Sequence, residues 1–497
     1  MITLHEQITV NRPIDECFRY IADFRTTVEW DSTAIDATKR TAGPIDVGTE
    51  FNVVCKVGFG SIKLQYTLTT CDSPHRIVLV GKSRLFTVTD TITLTEADGL
   101  THIDYRAEFD YQFGLEKAAA KRLPALEAMG RASVAGLKQA LEDDFPAPSA
   151  SPATQGADRR VLPGVAMFSR WGYNRAKAQW AGMSRSMSGV HVVLSGATSG
   201  IGKATAIALA EAGADLTLIV RDAQKADALC EEIEAETGRQ KGISVELADL
   251  SLLADTYAVR DRLLQQNRPI DVLINNAGAL FNEYAQTPEG IERSLALLLL
   301  SPYVLTVGLH PLLKGHEQPA RVINVVSGGM YTQRLNCDAL IETADDYRGT
   351  RAYAKSKRAL AVLTELWSQA WAEDAIVVNA MHPGWADTPG VQDALPLFRK
   401  ITRRVLRSSE EGADTVIWLA RASEADKVSG RLFLDREPRT YYLSEKSREP
   451  TDERARLIPW IEGVLAALDG TEDAEHAVDT TEATEATEAT EATEATS

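Results

Sequence analysis

The sequence predicts an α/β chain built on a doubly wound parallel sheet, preceded by a smaller α+β domain and followed by a disordered acidic tail. Three observations carry that reading. From Val190 onward, apolar runs alternate with glycine-bearing loops and helical stretches. That is the rhythm of βαβ units, with helices on both faces of the sheet. Before residue 146, several strand-like runs follow one another and are closed by one long helical pattern. The chain ends in "TEATEATEATEATEATS", a period-three repeat with no apolar face larger than alanine, which cannot bury a core.

The chain has 497 residues, enough for two or three domains of ~100–200 residues each. Hydrophobic residues make up 44% and charged residues 25%, as in an ordinary globular protein. The net charge is −17, and nine of the excess acids lie after residue 470, where no Lys or Arg occurs. An acidic chain argues against nucleic acid as a partner. The five cysteines (Cys17, Cys55, Cys71, Cys230 and Cys337) are scattered, and "MITLHEQITV" lacks a basic stretch and an apolar stretch of signal type. A reducing cytoplasm is the expected location. The histidines form no HxxxH or Cys/His cluster, so no structural metal is expected. Leu295 to Leu313, "LALLLLSPYVLTVGLHPLL", carries no acid or formal cation. Ser301 and Pro302 interrupt it, and a span needs ~20 apolar residues. A buried helix followed by a turn is expected there, with no integral membrane span.

Composition divides the chain into a first domain (1–145), a Pro/Ala/Ser-rich linker "PAPSASPATQGADRR" (146–160), a helical adaptor (161–189), the parallel-sheet domain (190–470) and the tail (471–497). The first domain opens on the strand-like "ITLHEQITV". A short helix follows, with Asn11 as its N-cap and Cys17, Tyr20, Ile21 and Phe24 at helical spacing. "TEFNVVCKVG", "SIKLQYTLTTC", "RIVLVGKS", "FTVTDTITLTE" and "THIDYRAEFDYQF" read as strands, with "ADG" (Ala97–Gly99) as a hairpin turn. A helix from about Leu115 to Leu141 closes the domain.

This order, together with "RPIDECFRYIADFRTTVEW", resembles the START-like SRPBCC superfamily of polyketide cyclases and lipid-transfer proteins. The resemblance covers about residues 1–145. It implies a helix-grip fold, a curved sheet wrapped on the long helix with an apolar cavity between. No catalytic constellation is readable inside this domain.

"VHVVLSGATSGIGKATAIALAEAGADLTLIVRD" carries the clearest site signal. A buried strand runs into Gly196, Gly200 and Gly202, and a helix follows to Gly213. Glycine suits a tight turn, a close backbone approach to a pyrophosphate and close packing of helix on sheet. The helix N-terminus offers free N–H groups to phosphate. Thr198, Ser199 and Ile201 fall within this loop and join it as candidate cofactor contacts. After the second strand, Val220 and Arg221 stand where an NAD-preferring site offers an acid. A guanidinium bonds a 2′-phosphate that a carboxylate repels. NADP(H) is therefore expected over NAD(H).

Further along come "ADL" (Asp249, Leu250), "NNAG" (Asn276, Ala277 and Gly278 among its residues), Ser327, "YAKSK" (Tyr353 and Lys357) and "HPGWADT" (Pro383, Gly384 and Thr388). This ordered set resembles the short-chain dehydrogenase/reductase (SDR) family over about Val190 to Leu443, and most of all its SDR family member 12 group. The resemblance implies a Rossmann-type fold. It also implies hydride exchange with a nicotinamide cofactor, with Ser327, Tyr353 and Lys357 as the catalytic set. Residues i and i+4 share a helix face, so Lys357 lies beside Tyr353, and its ammonium together with the positive nicotinamide would draw the phenol toward phenolate. The family places an asparagine in the helix after NNAG. Here Leu298 stands there, and leucine cannot hold the water of a proton relay.

The function expected is an NADP(H)-dependent oxidoreductase of a lipophilic alcohol or ketone, with a first domain that binds a similar small molecule. The chain is compatible with a homo-oligomer. The alternative is a catalytically impaired relative that binds nucleotide and lipid as a carrier or sensor.

Overall fold

The computed structural model describes residues 2–468 apart from residues 32, 42–43, 58–59, 113, 115, 143–146, 161–164, 178–179, 181–186, 239–241, 317, 389, 391, 393–398 and 401. The repeat tail expected to be disordered lies outside the described residues.

The first sheet is antiparallel. Its strands are β1 (Ile2–Val10), β2 (Ala34–Lys39), β3 (Glu50–Val57), β4 (Gly60–Asp72), β5 (Arg76–Lys82), β6 (Phe86–Ala97) and β7 (Leu100–Tyr111), in the order β1-β7-β6-β5-β4-β3-β2. The strand-like runs of the sequence fall on β1 and on β3 to β7. β2 is not legible, because its Ile35 is exposed and its register slips between Ala34 and Asp36. Asp98 and Gly99 both take positive φ, 55° and 76°, as a two-residue hairpin turn requires.

A helix, Leu123–Leu141, lies on this sheet with Val134, Leu137, Ala140 and Leu141 buried. A Cβ on Gly136 would stand 2.2 Å from the Trp30 carbonyl oxygen, so only glycine permits that approach. The single helix expected from 115 to 141 is two pieces, Glu116–Ala120 and Leu123–Leu141. Pro124 has no N–H to give to Ala120, and its ring crowds that carbonyl. Asn11 is not an N-cap. The first helix is Ile14–Ala22, and Pro13 precedes it without a side-chain cap.

The segment read as linker also holds structure. Pro152–Asp158 is a helix capped by Ser151, whose Oγ accepts from Thr154 N at 3.3 Å. Ser151 Oγ donates to Glu437 at 3.1 Å, and Arg439 Nε donates to Asp158 Oδ1 at 2.8 Å. The segment is thus fastened to the second sheet. Its small-residue composition hides partners that are remote in sequence. Within the adaptor, Arg170–Lys177 is helical.

The second sheet comprises β8 (His191–Ser195), β9 (Asp215–Val220), β10 (Ile243–Leu247), β11 (Val272–Asn275), β12 (Ala320–Val325), β13 (Ile376–Met381), β14 (Leu432–Leu434) and β15 (Glu437–Arg439). The order is β10-β9-β8-β11-β12-β13-β14-β15, parallel except for the β14–β15 pair. Successive strand residues face opposite layers. Val192, Leu194 and Ile274 pack with helices Gly200–Glu211 and Ser409–Arg421. Val193, Leu273 and Val322 pack with helices Leu253–Gln266 and Gly349–Ala370. A helix over 451–468 adds Leu457, Ile461 and Leu465 to that second layer. Strand order reverses between β8 and β11, which opens a crevice at the carboxyl ends of the strands.

The Leu295–Leu313 run is buried helix and turn, with Leu298, Leu299 and Leu300 sealed from solvent. Among the described residues no helix is long and apolar enough to cross a membrane. Arg25 Nη1 pairs with Glu211 at 2.9 Å, and Lys177 pairs with Asp36 at 3.2 Å.

Candidate functional site: a crevice at the strand ends

One cavity of about 1310 Å³ sits at the carboxyl ends of the second sheet. Every residue expected from the sequence to be catalytic or to bind cofactor lines it. At one end are Gly196, Thr198, Ser199, Gly200, Ile201 and Gly202, with Arg221, Asp249 and Leu250 beside them. Asn276, Ala277 and Gly278 lie in the middle. Ser327, Tyr353, Lys357, Pro383, Gly384 and Thr388 form the far wall.

The glycine loop is built as the sequence requires. β8 turns at Gly196 (φ 72°) toward the helix that starts at Gly200. A Cβ on Gly196 would lie 2.8 Å from Ala277 Cα, and one on Gly202 would lie 2.1 Å from Gly196 O. Both obstacles are backbone and cannot swing aside. Ser199 holds the N-cap position but makes no side-chain capping bond. The first N–H groups of the helix are therefore left for a ligand, and an anion fits them and the positive end of the helix.

Asn276 braces this loop. Its Nδ2 donates to Ser195 O at 2.9 Å and to Gly196 O at 3.1 Å. Ser195 Oγ in turn accepts from the N–H groups of Asn276 and Ala277, each at 3.1 Å. The side-chain amide of Asn276 is thus spent on the loop rather than offered to the cavity. Ser195 was not singled out in the sequence, though its place just before the glycine loop marks it.

At the outer end Arg221 is exposed. The neighbouring acid, Asp222, caps helix Ala223–Thr237 by accepting from Lys225 N at 3.1 Å. That bond holds its carboxyl below the usual carboxylate range. Asp249 Oδ1 accepts from Ser251 N and Oγ at 3.0 and 2.8 Å.

At the inner end Tyr353 and Lys357 stand one turn apart on helix Gly349–Ala370. Lys357 is 2% exposed, and its Nζ donates to Val325 O at 2.7 Å. Burial pushes its ammonium down to about 7. Burial also raises the Tyr353 phenol, and a hydrogen bond with Ser327 pulls it back. The pull toward phenolate expected from the sequence combines the lysine with the positive nicotinamide of a bound cofactor; among the protein's own groups, desolvation outweighs the Ser327 bond. Ser327 Oγ also accepts from Gly329 N at 3.2 Å.

Leu298 lies beneath Gly278, in a widened helical turn at Ala296–Leu300. A Cβ on Gly278 would be 3.1 Å from Leu298 Cδ2 and 3.7 Å from Lys357 Nζ. The leucine therefore stands in the neighbourhood of the lysine.

Two supporting arrangements escaped the sequence. Asn275 Nδ2 donates to Thr306 Oγ1 and Asn324 Oδ1, both at 2.8 Å, and Asn324 Nδ2 donates to Thr364 Oγ1 at 2.9 Å. This buried chain ties the ends of β11 and β12 to the helices behind them. Its signal was an asparagine in each of two apolar runs, since a buried amide must find partners. The other is Phe168 of the adaptor. A Cβ on Gly328 would be 2.9 Å from its ring, which also lies 4.5 Å from His382 and 6.0 Å from Tyr331 between centroids. Its carbonyl accepts from Trp385 N at 2.8 Å and Arg407 Nε at 2.9 Å. Burial and the nearby Arg439 and Arg407 hold His382 neutral.

Fold and crevice together define a doubly wound α/β protein of the Rossmann class. Residues 190–396 match the family described as short chain dehydrogenase. Residues 1–142 match the one described as Polyketide cyclase / dehydrase and lipid transport. The chain is 41% identical over 273 residues to the Homo sapiens Dehydrogenase/reductase SDR family member 12, covering 54% of this chain and 84% of that protein. It is 32% identical over 268 residues to the Homo sapiens Retinol dehydrogenase 14, covering 50% and 79%. A solved structure, the Pseudomonas aeruginosa RhlG/NADP active-site complex, aligns with a TM-score of 0.41 at 25% identity, covering 50% of this chain and 95% of that one. The chain belongs to the short-chain dehydrogenase/reductase family, with a polyketide cyclase-like domain at its N-terminal side.

Proposed function

We propose that the protein is an NADP(H)-dependent oxidoreductase that interconverts a lipophilic alcohol and its ketone or aldehyde, and that its first domain binds a similar ligand. The observation that carries this reading is the meeting of Ser327, Tyr353 and Lys357 in one cavity with an uncapped, glycine-opened helix end. A scaffold needs neither feature. When bound, the nicotinamide ring supplies or takes up the hydride. Tyr353 Oη exchanges the proton of the substrate oxygen, and Ser327 Oγ holds that oxygen in place. Lys357 Nζ serves a ribose hydroxyl and the phenol. Leu280, Leu297 and Trp385 add apolar lining for a lipophilic substrate. A relative named for retinol, a lipophilic alcohol, fits the same class.

Arg221 and Lys225 stand at the outer end, where a 2′-phosphate would lie. NADPH is expected to bind tighter than NADH by about tenfold or more, the worth of a charged hydrogen bond. Arg221→Ala should remove most of that gap. Fluorescence titration of both nucleotides measures it, and equal affinities in the parent chain defeat the NADP(H) assignment.

A second reading has its own observation. Leu298 puts a methyl group near Lys357, where it cannot hold a water. If proton supply limits turnover, Leu298→Asn should raise kcat. The amide would enter among buried leucines at a cost of about 1–3 kcal/mol if it stays unpaired. Steady-state kinetics with paired thermal melts separate the two effects. An inert parent chain that the amide awakens identifies an impaired enzyme acting as a nucleotide and lipid binder.

A further inference from the structure

We propose that Asp90, Tyr66 and Tyr105 form a polar anchor inside the first sheet, which takes an uncharged apolar molecule by its ketone or alcohol oxygen. This deepens the ligand-binding role proposed for the first domain by naming where the ligand is held and by which atoms.

Asp90 sits in a row that should be wholly apolar. Along β6 the inward residues are Val88, Asp90, Ile92 and Leu94, and Asp90 is 3% exposed. A carboxyl so deep is costly unless it is bonded or paired. Its partners are two phenols, Tyr66 from β4 and Tyr105 from β7. Among the described residues, the charge that acts on it is a like charge, Asp31. Apolar residues of similar volume would fill the site at less cost. The cluster is therefore dear as packing and useful as a donor set.

The strands are shaped to bring Tyr66 there. β5 lies between β4 and β6, and Tyr66 is opposite Gly81, which in turn is opposite Val88. A Cβ on Gly81 would stand 2.5 Å from Tyr66 Cε1, so the ring lies where any side chain would be. The missing side chain is the slot by which the phenol crosses β5 toward Asp90. Aromatic rings wall the cluster. Phe24 is 4.6 Å from Tyr66 and Trp30 is 6.1 Å from Tyr105 between centroids, both edge to face.

Among the described residues, the remaining titratable neighbours are Asp31 and Cys55. Asp31 Oδ1 already accepts from Thr33 N, Thr33 Oγ1 and Ser133 Oγ. Burial pushes the Cys55 thiol up to about 11, so it stays protonated at neutral pH. Tyr105 and Cys55 are half-buried, so the cluster is least covered on their side. Burial pushes the Asp90 carboxyl up to about 7, with both tyrosines pulling it back. Below that pH Asp90 carries a proton and can donate it in a hydrogen bond. An anionic ligand meets two acids. A cation meets rings that are packed edge-on against one another rather than opened as a cage. A neutral carbonyl or hydroxyl oxygen meets donors on an apolar wall.

The test uses the full chain and Prodan, an uncharged naphthyl ketone whose emission reports hydrogen bonding at its carbonyl. Prodan should bind about tenfold tighter at pH 6 than at pH 8.5, as a donor is lost on ionisation. Asp90→Asn should bind with little pH dependence, because the amide donates throughout. Asp90→Leu, which keeps the volume and removes the donor, should bind about tenfold more weakly than the parent at pH 6. NADPH titration and thermal melts of the same variants separate a local effect from unfolding. Equal Prodan affinity in the parent and Asp90→Leu overturns the anchor but leaves a ligand-holding first domain. No Prodan binding to the parent overturns both. Tighter binding of a naphthylammonium than of Prodan assigns the acid to a cation and also overturns the proposal.

Discussion

Tyr353→Phe is expected to lower kcat by about 10²–10⁴-fold, the usual worth of a positioned general acid or base, and to leave NADPH affinity nearly intact. Phenylalanine keeps the half-buried ring in the wall of helix Gly349–Ala370 and removes only the hydroxyl that meets Ser327. Steady-state rates over a panel of lipophilic aldehydes and ketones, with a fluorescence titration of NADPH, read the two quantities separately. A variant that turns over its best substrate as fast as the parent reduces Tyr353 to an ordinary helix residue.

Lys357 gives the same prediction a pH signature. Burial holds its ammonium near 7, so the free protein carries that proton below pH 7 and loses it above. Only the charged form has the three N–H groups needed to serve a ribose hydroxyl, the phenol oxygen and Val325 O together, and its charge strengthens each bond. Nucleotide affinity should therefore fall as pH rises from 6 to 8.5, and Lys357→Met should flatten the curve. Binding at high pH should take up a proton, measurable in weakly buffered solution. An affinity that rises with pH in the parent contradicts this account.

The second sheet was legible because its signals are local. A buried strand, a glycine loop and a helix lie within one stretch of sequence, and Gly196 and Gly202 are glycine for reasons a sequence exposes. Tyr353 and Lys357 share a face by spacing alone. What was not legible depends on partners far apart in the chain. Asp158 meets Arg439, and Phe168 meets Gly328, Tyr331 and His382, so a stretch read as linker and adaptor becomes part of the cavity's support. Asp90 illustrates the same limit. In "FTVTDTITLTE" it looks like one more polar residue of an alternating strand. Its inward position fixes it among apolar neighbours, and only the fold brings Tyr66 across Gly81 to meet it. Spacing shows that Lys357 neighbours Tyr353, but not that burial pushes the lysine's ammonium down to about 7.

Arg407→Met is expected to cost about 3–5 kcal/mol of stability, the penalty for breaking a buried pair from one side. Arg407 is 1% exposed and meets Asp435 through two bonds, Nη1 to Oδ1 at 2.5 Å and Nη2 to Oδ2 at 2.9 Å. Its remaining donors hold the adaptor, with Nε to Phe168 O at 2.9 Å and Nη2 to Met167 O at 2.7 Å. Its backbone holds the loop after Gly384, since Arg407 N donates to Trp385 O and Asp387 N donates to Arg407 O. A methionine fills part of the volume and satisfies none of these groups, leaving Asp435 charged and unpaired in the interior. Burial already raises that carboxyl against the pull of the guanidinium. In the variant it should rise further, so that the stability deficit shrinks as pH falls and Asp435 takes up a proton. Arg407→Met combined with Asp435→Leu should recover a large part of the loss, because both charges are then gone. NADPH affinity should remain weakened in the double variant, since Met167 O and Phe168 O both lose their guanidinium donors and Phe168 O keeps only Trp385 N. Urea unfolding with and without NADPH, at pH 5 and pH 8, measures all three. A single variant as stable as the parent at pH 8 would show that this pair does not fasten the adaptor to the cavity wall.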